Sequence, residues 1–249
     1  KLVPVIHPAT VLQPKGQVKN RLLIVNDLLR AKHQSAYPEI KLTSRHVHTR
    51  PSFSEVLQYL YSIEAKAVEQ RYPIDLDIET DPLTNEITCL SLTFSEYESM
   101  SIPLVDGSGD YFPPEQEAQV WLAVARVLEN SDIPKRGANI VFDLGILLHK
   151  YGIRARGQLH DTQVAQKILM PEYPAGLDFV TYLWTDIAYY KDDGKKFLAG
   201  KLGGWDQFYT YNGMDSIATA AAHPNQLIEL SKQDNLGTYQ CQVDTIYPC

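Results

Sequence analysis

Apolar and polar positions alternate between residues 73 and 79, and this pattern predicts a β-strand. Successive side chains of a strand point to opposite faces of a sheet, so the acids at positions 75, 77 and 79 share one face. Residues 87–94 and 98–105 form two further strand-like runs, which follow turn residues at positions 81–85. Together the three runs predict an antiparallel meander.

Helical spacing of apolar residues covers most of the remaining chain. Ser52 and Glu55 form a capping box at the start of one such segment, and Gly152 ends another. Pro224 is expected to interrupt the longest segment, because proline lacks a backbone donor and clashes with the preceding turn. Helices are predicted at residues 18–32, 52–63, 115–129, 142–151, 162–169, 176–184 and 205–230, with a short strand at residues 136–141.

Three strands followed by alternating helices and strands predict an α/β fold. The expected core is a mixed five-stranded sheet flanked by helices. We place a short N-terminal extension at residues 1–70, the core domain at residues 71–235 and a C-terminal tail at residues 236–249. Because the chain starts with Lys1 rather than Met, we expect a fragment of a longer protein, with the tail leading to a missing region.

Composition and charge narrow the class of protein. Hydrophobic residues make up 44% of the chain, but no apolar run approaches the roughly 20 residues that span a bilayer, so no membrane association is expected. The net charge of −7 disfavours a protein that coats nucleic acid, and it disfavours less an enzyme that grips one strand end. Cys89, Cys241 and Cys249 are unclustered, which suits reduced thiols in the cytoplasm.

Four carboxylates and a tyrosine form the main candidate site. Asp77 and Glu79 are two residues apart on the first strand and project from one face. Asp143 lies at the junction of a predicted strand and helix. Tyr211 and Asp215 have i, i+4 spacing on a predicted helix, which places them on one face about a turn apart.

This set of side chains predicts a metal site. Clustered carboxylates repel one another and resist ionisation, and divalent cations with a preference for hard oxygen ligands relieve that repulsion. Two Mg²⁺ or Mn²⁺ ions about 3.5–4 Å apart catalyse phosphodiester cleavage in many enzymes. A tyrosine hydroxyl beside such ions can hold the attacking water in line. Each piece alone is a common feature of a solvated strand or helix surface.

In this order, the three pieces resemble motifs I, II and III of the DEDD exonuclease superfamily. The segment GANIVFD at residues 137–143 and HDT at residues 160–162 are most similar to the proofreading domain of family A (polymerase I-type) DNA polymerases, particularly those of phages. Thr210 stands where the other branch of the superfamily has histidine, so the resemblance is to the tyrosine branch. It covers roughly residues 72–230 and implies a ribonuclease-H-like core.

The resemblance also implies a function. It assigns Asp77, Glu79, Asp143 and Asp215 to two divalent cations and Tyr211 to the attacking water. The expected reaction is hydrolysis of single-stranded DNA from its 3′ end to nucleoside 5′-monophosphates. This reaction would proofread for a DNA polymerase in the same longer chain or in a separate subunit. Two alternatives stay open: an exoribonuclease of the ribonuclease D type, and a catalytically silent nucleic-acid-binding domain, which predicts a broken acidic set.

Supporting residues are expected to contact substrate, and each has a structural alternative. Thr80 either meets the terminal nucleotide or caps the strand end, and Asn139 either contacts the substrate or ties down a turn. Phe142 joins the predicted substrate contacts. Lys191 and Lys195 belong to a basic and aromatic cluster that suits a single strand, or else to a mobile loop.

Two further acids are left out of the predicted site. Asp75 shares the face of Asp77 but precedes the motif, so we expect it in a solvated position. Asp161 is sufficiently explained as the N-cap of the helix that follows it.

Residues 1–45 carry a second, weaker resemblance. His7, Pro8 and Ala9, followed by a helix, are similar to the closing motif of uracil-DNA glycosylase-like domains. The alternative is an irregular loop that contains proline. A complete glycosylase does not fit in so few residues, so we predict no glycosylase activity from this chain.

Overall fold

The computed structural model describes residues 5–12, 17–107, 109–191 and 204–246. The chain divides into two compact units, Lys1–Ser44 and Arg45–Cys249. The first unit contains helices α1 (Ala9–Leu12) and α2 (Asn20–Ser35). Among the described residues, no helix is both long enough and apolar enough to cross a bilayer.

The second unit is built on a six-stranded mixed sheet with the order β1-β4-β3-β2-β7-β8. Strands β2, β3 and β4 form the antiparallel meander, whereas β1, β7 and β8 pair in parallel with β4, β2 and β7. Strands β5 and β6 form a separate two-stranded ribbon. The strands are β1 (His46–His48), β2 (Ile74–Thr80), β3 (Ile87–Thr93), β4 (Glu98–Pro103), β5 (Val105–Asp106), β6 (Gly109–Asp110), β7 (Lys135–Gly137) and β8 (Leu159–Asp161).

Helices cover both faces of this sheet. The aliphatic face of β2 packs with α3 and α4 in the main core, and the acidic face of β2 is turned toward α8. Helices α6, α7 and α9 pack around α8. The helices of this unit are α3 (Phe53–Gln70), α4 (Pro114–Glu129), α5 (Ile140–Tyr151), α6 (Thr162–Leu169), α7 (Leu177–Trp184), α8 (Trp205–Lys232) and α9 (Leu236–Asp244).

The predicted α/β class and ribonuclease-H-like core are confirmed, with six strands in the sheet instead of five. Strands β1 and β8, each three residues long, have no predicted counterpart, because β1 lies in a polar stretch and neither is long enough to show alternation. Helix α3 starts at the predicted capping box of Ser52 and Glu55 and packs against α4. Strand β1 and helix α3 lie within residues 1–70, the expected extension, but belong to the second compact unit.

Two local predictions are wrong. Helix α8 continues through Pro224, although we expected an interruption there. Buried His223 and Gln226 hold the helix on either side of the proline by hydrogen bonds to Tyr239 and to the Thr162 carbonyl. The strand expected at residues 136–141 ends at Gly137, because the Asp161 carboxylate accepts the backbone N–H of Ile140 and α5 starts there.

Candidate active site

Strand β2 and helix α8 bring three carboxylates together. Asp77 and Glu79 project from β2, and Asp215 projects from α8. One carboxylate oxygen of each residue lies within 4.8 Å of the other two. The strand alternation and the helical spacing thus converge on one point, as the sequence pattern predicted for these acids.

Asp143 adds a fourth carboxylate from the first turn of α5. Its Oδ1 accepts the backbone N–H of Ile78 at 2.9 Å, which ties α5 to the β2 residue between Asp77 and Glu79. The Asp143 side chain is buried, and its ionisation raises the pKa of both β2 acids.

Burial and mutual repulsion make this cluster hard to ionise. Burial, and after it the charge of Asp215, raise the pKa of Glu79 to about 8, against the opposing charge of Lys191. Burial likewise raises the pKa of Asp143 to about 8, against the hydrogen bond from Ile78. The pKa of Asp77 is raised well above its usual range by burial and then by Asp215, Glu79 and Asp143. A cluster of four carboxylates fits divalent cations that prefer hard oxygen ligands, such as Mg²⁺ or Mn²⁺.

Tyr211 lies one turn before Asp215 on the same face of α8. Burial raises the pKa of its hydroxyl above the usual range, and the charges of Asp215, Glu79 and Asp77 raise it further. The phenol therefore keeps its proton at neutral pH and can donate a hydrogen bond, but it cannot act as a base.

Lys191 lies inside the carboxylate cluster. Its Nζ pairs with Asp215 Oδ2, lies 3.5 Å from the Tyr211 hydroxyl and stands over the Tyr211 ring. Tyr190 donates its hydroxyl hydrogen to Asp215 Oδ1 at 2.7 Å. Two residues of the basic and aromatic cluster that the sequence indicated, Tyr190 and Lys191, thus contact Asp215 directly, and the Lys191 ammonium neutralises that carboxylate.

The other predicted substrate residues border the cluster in sequence. Thr80 is half-buried at the end of β2, where the pairing with β3 shifts register. Asn139 has a φ of 64° immediately before α5, and its side chain makes no capping hydrogen bond. Phe142, next to Asp143, is 47% exposed. Lys195 lies outside the described residues.

Asp75 is a correction to the sequence analysis. We expected a solvated position, but this residue is completely buried and forms a bidentate ion pair with Arg136 of β7. Arg136 Nε and Nη2 donate to Asp75 Oδ1 and Oδ2 at 2.6 and 2.7 Å. The alternating pattern could not show this pairing, because β7 lies about sixty residues further along the chain.

Asp161 caps α6 as expected, with its Oδ1 accepting the backbone N–H groups of Gln163 and Val164. Asn212 was missed. Its amide donates to Asp77 Oδ2 at 2.8 Å, and no sequence signal other than its place next to Tyr211 pointed to it.

The sheet topology and the four-acid cluster define a ribonuclease-H-like fold of the exonuclease type. Residues 51–220, more than half of the chain, match the family model for the 3'-5' exonuclease of family A DNA polymerases. The chain belongs to this 3'-5' exonuclease family. A comparison with curated proteins gave no significant match.

Solved structures with the same fold include nucleases and a polymerase. Brucella melitensis NrnC with bound Mg²⁺ is 16% identical with a TM-score of 0.56, over 82% of this chain and 90% of NrnC. Escherichia coli RNase D is 14% identical with a TM-score of 0.57, over 82% of this chain and 49% of RNase D. Pol1 from M. smegmatis is 17% identical with a TM-score of 0.53, over 78% of this chain and 29% of that protein. At these identities the likeness shows the fold.

Proposed function

We propose that this protein is a metal-dependent 3′→5′ exonuclease that hydrolyses single-stranded DNA to nucleoside 5′-monophosphates. The observation that carries the proposal is the convergence of Asp77, Glu79 and Asp215 within 4.8 Å, with Asp143 tied to the same strand. Buried and half-buried acids that outnumber the neighbouring cations lower the stability of a fold, and such an arrangement is expected where bound cations complete the site.

The chain's own residues take distinct parts in this reaction. When bound, two divalent cations lower the pKa of the attacking water and stabilise charge on the leaving 3′ oxygen. Asp77, Glu79, Asp143 and Asp215 hold these cations. Tyr211, whose phenol stays protonated, orients the attacking water by a hydrogen bond.

Substrate contacts are proposed for residues around the cluster. The exposed ring of Phe142 offers a surface on which a base can stack. Thr80 and Asn139 meet the terminal nucleotide and the backbone, and Lys191 exchanges its partner Asp215 for a substrate phosphate when cations bind. Lys195 is proposed to contact phosphate on the resemblance of its loop to phage enzymes.

The preference for DNA and the link to a polymerase are supported by the matched family. Tyr211, with Thr210 before it, supports the tyrosine branch. We propose that the protein proofreads for a polymerase of phage type, in the same longer chain or in a separate subunit, in the host cytoplasm. The free thiols of Cys89 and Cys241 suit that compartment.

A digestion assay with matched DNA and RNA tests the proposal. We expect 5′-labelled single-stranded DNA to give a ladder that shortens from the 3′ end with Mg²⁺, and RNA of the same sequence to be cut more slowly. Faster cleavage of RNA would favour the ribonuclease D-type alternative. If neither strand is cut with Mg²⁺ or Mn²⁺, the silent binding domain is the better description.

A further inference from the structure

Two neighbouring faces of helix α8 contact different parts of the protein. Tyr211 and Asp215 face the acidic cluster, whereas Asn212 and Ser216, each one residue further on, face the sheet and are fully buried. A buried asparagine in contact with a cation ligand is an unusual feature, because its amide must find partners for both of its polar atoms.

Asn212 contacts one residue on each of three adjacent strands. Its backbone carbonyl accepts the Ser91 hydroxyl at 2.9 Å on β3, and its Oδ1 accepts the Ser101 hydroxyl at 2.8 Å on β4. Its Nδ2 donates to the carboxylate Oδ2 and the backbone carbonyl of Asp77 at 2.8 and 3.1 Å on β2. Asp77, Ser91 and Ser101 are in register across the three strands, so Asn212 reaches the whole row with its side chain and its backbone carbonyl.

The chemistry of these partners dictates the orientation of the amide. The backbone carbonyl of Asp77 can only accept a hydrogen bond, so the NH₂ group must face β2. The opposite orientation would set the Asn212 oxygen against this carbonyl and, once Asp77 is ionised, against its carboxylate. The Asn212 oxygen then faces Ser101, whose hydroxyl supplies the donor. Ser101 therefore supplies the donor that this orientation of Asn212 requires.

A second hydroxyl pair repeats this geometry one turn further along α8. Ser99 and Ser216 share a hydrogen bond of 2.9 Å and are both fully buried. Two strand residues span about 6.8 Å and four helix residues about 6 Å, so the two pairs form matched rungs between β4 and α8. Neither hydroxyl of the Ser99 pair has a hydrogen bond to a site acid, which makes this pair a natural control.

We propose that Asn212, whose amide oxygen is satisfied by Ser101, is a positioning residue that holds the Asp77 carboxylate in the rotamer that binds a divalent cation. One carboxylate oxygen receives the amide hydrogen, and the remaining lone pairs of the carboxylate are left for the cation. Groups that orient a metal ligand typically change metal affinity or activity by about 10–100-fold when removed. This inference rests on the cation site of the proposed function, but not on the choice of DNA as substrate.

The test measures Mn²⁺ binding by titration calorimetry without nucleic acid, together with thermal unfolding of the metal-free protein. Asn212→Leu, which keeps the number and branching of the side-chain heavy atoms and removes both polar groups, is expected to weaken Mn²⁺ binding by about 10–100-fold. Ser101→Ala is expected to weaken it by less, and the control Ser99→Ala is expected to leave it unchanged. Because Ser101→Ala and Ser99→Ala each remove one buried hydroxyl, both should lower the unfolding temperature to a similar extent.

Equal Mn²⁺ affinity for Ser101→Ala and Ser99→Ala, together with wild-type affinity for Asn212→Leu, would overturn the positioning role. If Asn212→Leu does not fold, the comparison of Ser101→Ala with Ser99→Ala decides alone. A wild-type protein that binds Mn²⁺ but prefers RNA contradicts the proposed substrate and leaves this inference standing. Absence of Mn²⁺ binding by the wild type would refute both.

Discussion

The carboxylates at the two ends of strand β2 have opposite electrostatic surroundings. At the start of the strand, Asp75 is completely buried and is matched by both arms of the Arg136 guanidinium. At the end of the strand, Asp77 and Glu79 face two further acids, and Lys191 is the cation that pairs with Asp215 there. The same strand face thus carries one acid that is neutralised by an arginine and a cluster of acids with too few neighbouring cations to neutralise it.

This difference separates a structural role from a catalytic one. Burial raises the pKa of Asp75 to about 6 against the opposing charge of Arg136, so it is ionised and paired at neutral pH. Glu79 and Asp143 reach about 8 and stay largely protonated in the absence of cations. The Asp75–Arg136 pair balances its own charge, whereas the four acids of the cluster become fully ionised only when cations bind.

The largest expected effect is the loss of activity in Asp77→Asn. Removal of one cation ligand should lower the rate of DNA cleavage by roughly 10³-fold, since a bound cation supplies several kcal/mol of transition-state stabilisation. The metal-free variant should be at least as stable as wild type, because one of four repelling acids is gone. Single-turnover cleavage and urea unfolding measure the two quantities. Wild-type cleavage by Asp77→Asn would show that the site is assigned wrongly.

Asp75→Asn is expected to lower the stability of the protein, in contrast to Asp77→Asn. Loss of the carboxylate leaves Arg136 buried without its partner, which costs about 3–5 kcal/mol of unfolding free energy. Urea unfolding measures this loss. The double variant Asp75→Leu/Arg136→Met replaces the pair with apolar groups and should recover most of the stability. If Asp75→Asn is as stable as wild type, the contrast between the two ends of β2 is lost.

The stability of the metal-free protein should fall as pH rises from about 4 to about 8. In this range the folded state retains protons on Glu79 and Asp143 that the unfolded chain releases, so unfolding is favoured as protons become scarce. Mg²⁺ should therefore stabilise the protein more at pH 8 than at pH 6. At a fixed Mg²⁺ concentration of one hundred times the Kd at pH 8, Mg²⁺ adds about 2.7 kcal/mol at that pH, or roughly 5–10 °C in Tm, and less at pH 6. Equal Mg²⁺-induced shifts at both pH values would contradict the raised pKa values.

Gly213→Ala should give the smallest of these effects, about 1–3 kcal/mol of lost stability. A Cβ at this position of α8 would lie 2.3 Å from Val47 Cγ1 of β1. Gly145→Ala is the matched control, because a Cβ there meets nothing within 4 Å and should be tolerated in α5. Val47→Ala should relieve the clash in a double variant. Thermal unfolding of the four proteins tests this, and equal stability of Gly213→Ala and Gly145→Ala would refute the close approach of α8 to β1.

Local patterns in the sequence predicted the parts of the site that depend on local geometry. The alternation around Asp77 and Glu79 and the helical spacing of Tyr211 and Asp215 need no knowledge of distant residues. The capping residues Ser52 and Asp161 were likewise predicted from their neighbours.

Features that depend on partners distant in sequence were missed. Arg136 pairs with Asp75 from another strand, and Asn212 contacts three strands, so neither role leaves a local pattern. Strand β1 is too short and too polar to show alternation, and it exists because β4 offers a parallel edge. Helix α8 continues through Pro224 despite the low helix propensity of proline, because packing around α8 outweighs one lost backbone hydrogen bond.

A crystal structure of the protein with Mn²⁺, located by anomalous scattering, tests the central contrast most directly. We predict two ions about 3.5–4 Å apart, held by Asp77, Glu79, Asp143 and Asp215, with Lys191 displaced from Asp215 and no ion at Asp75. An acidic cluster without Mn²⁺ at millimolar concentration, with Lys191 still paired to Asp215, would contradict the account.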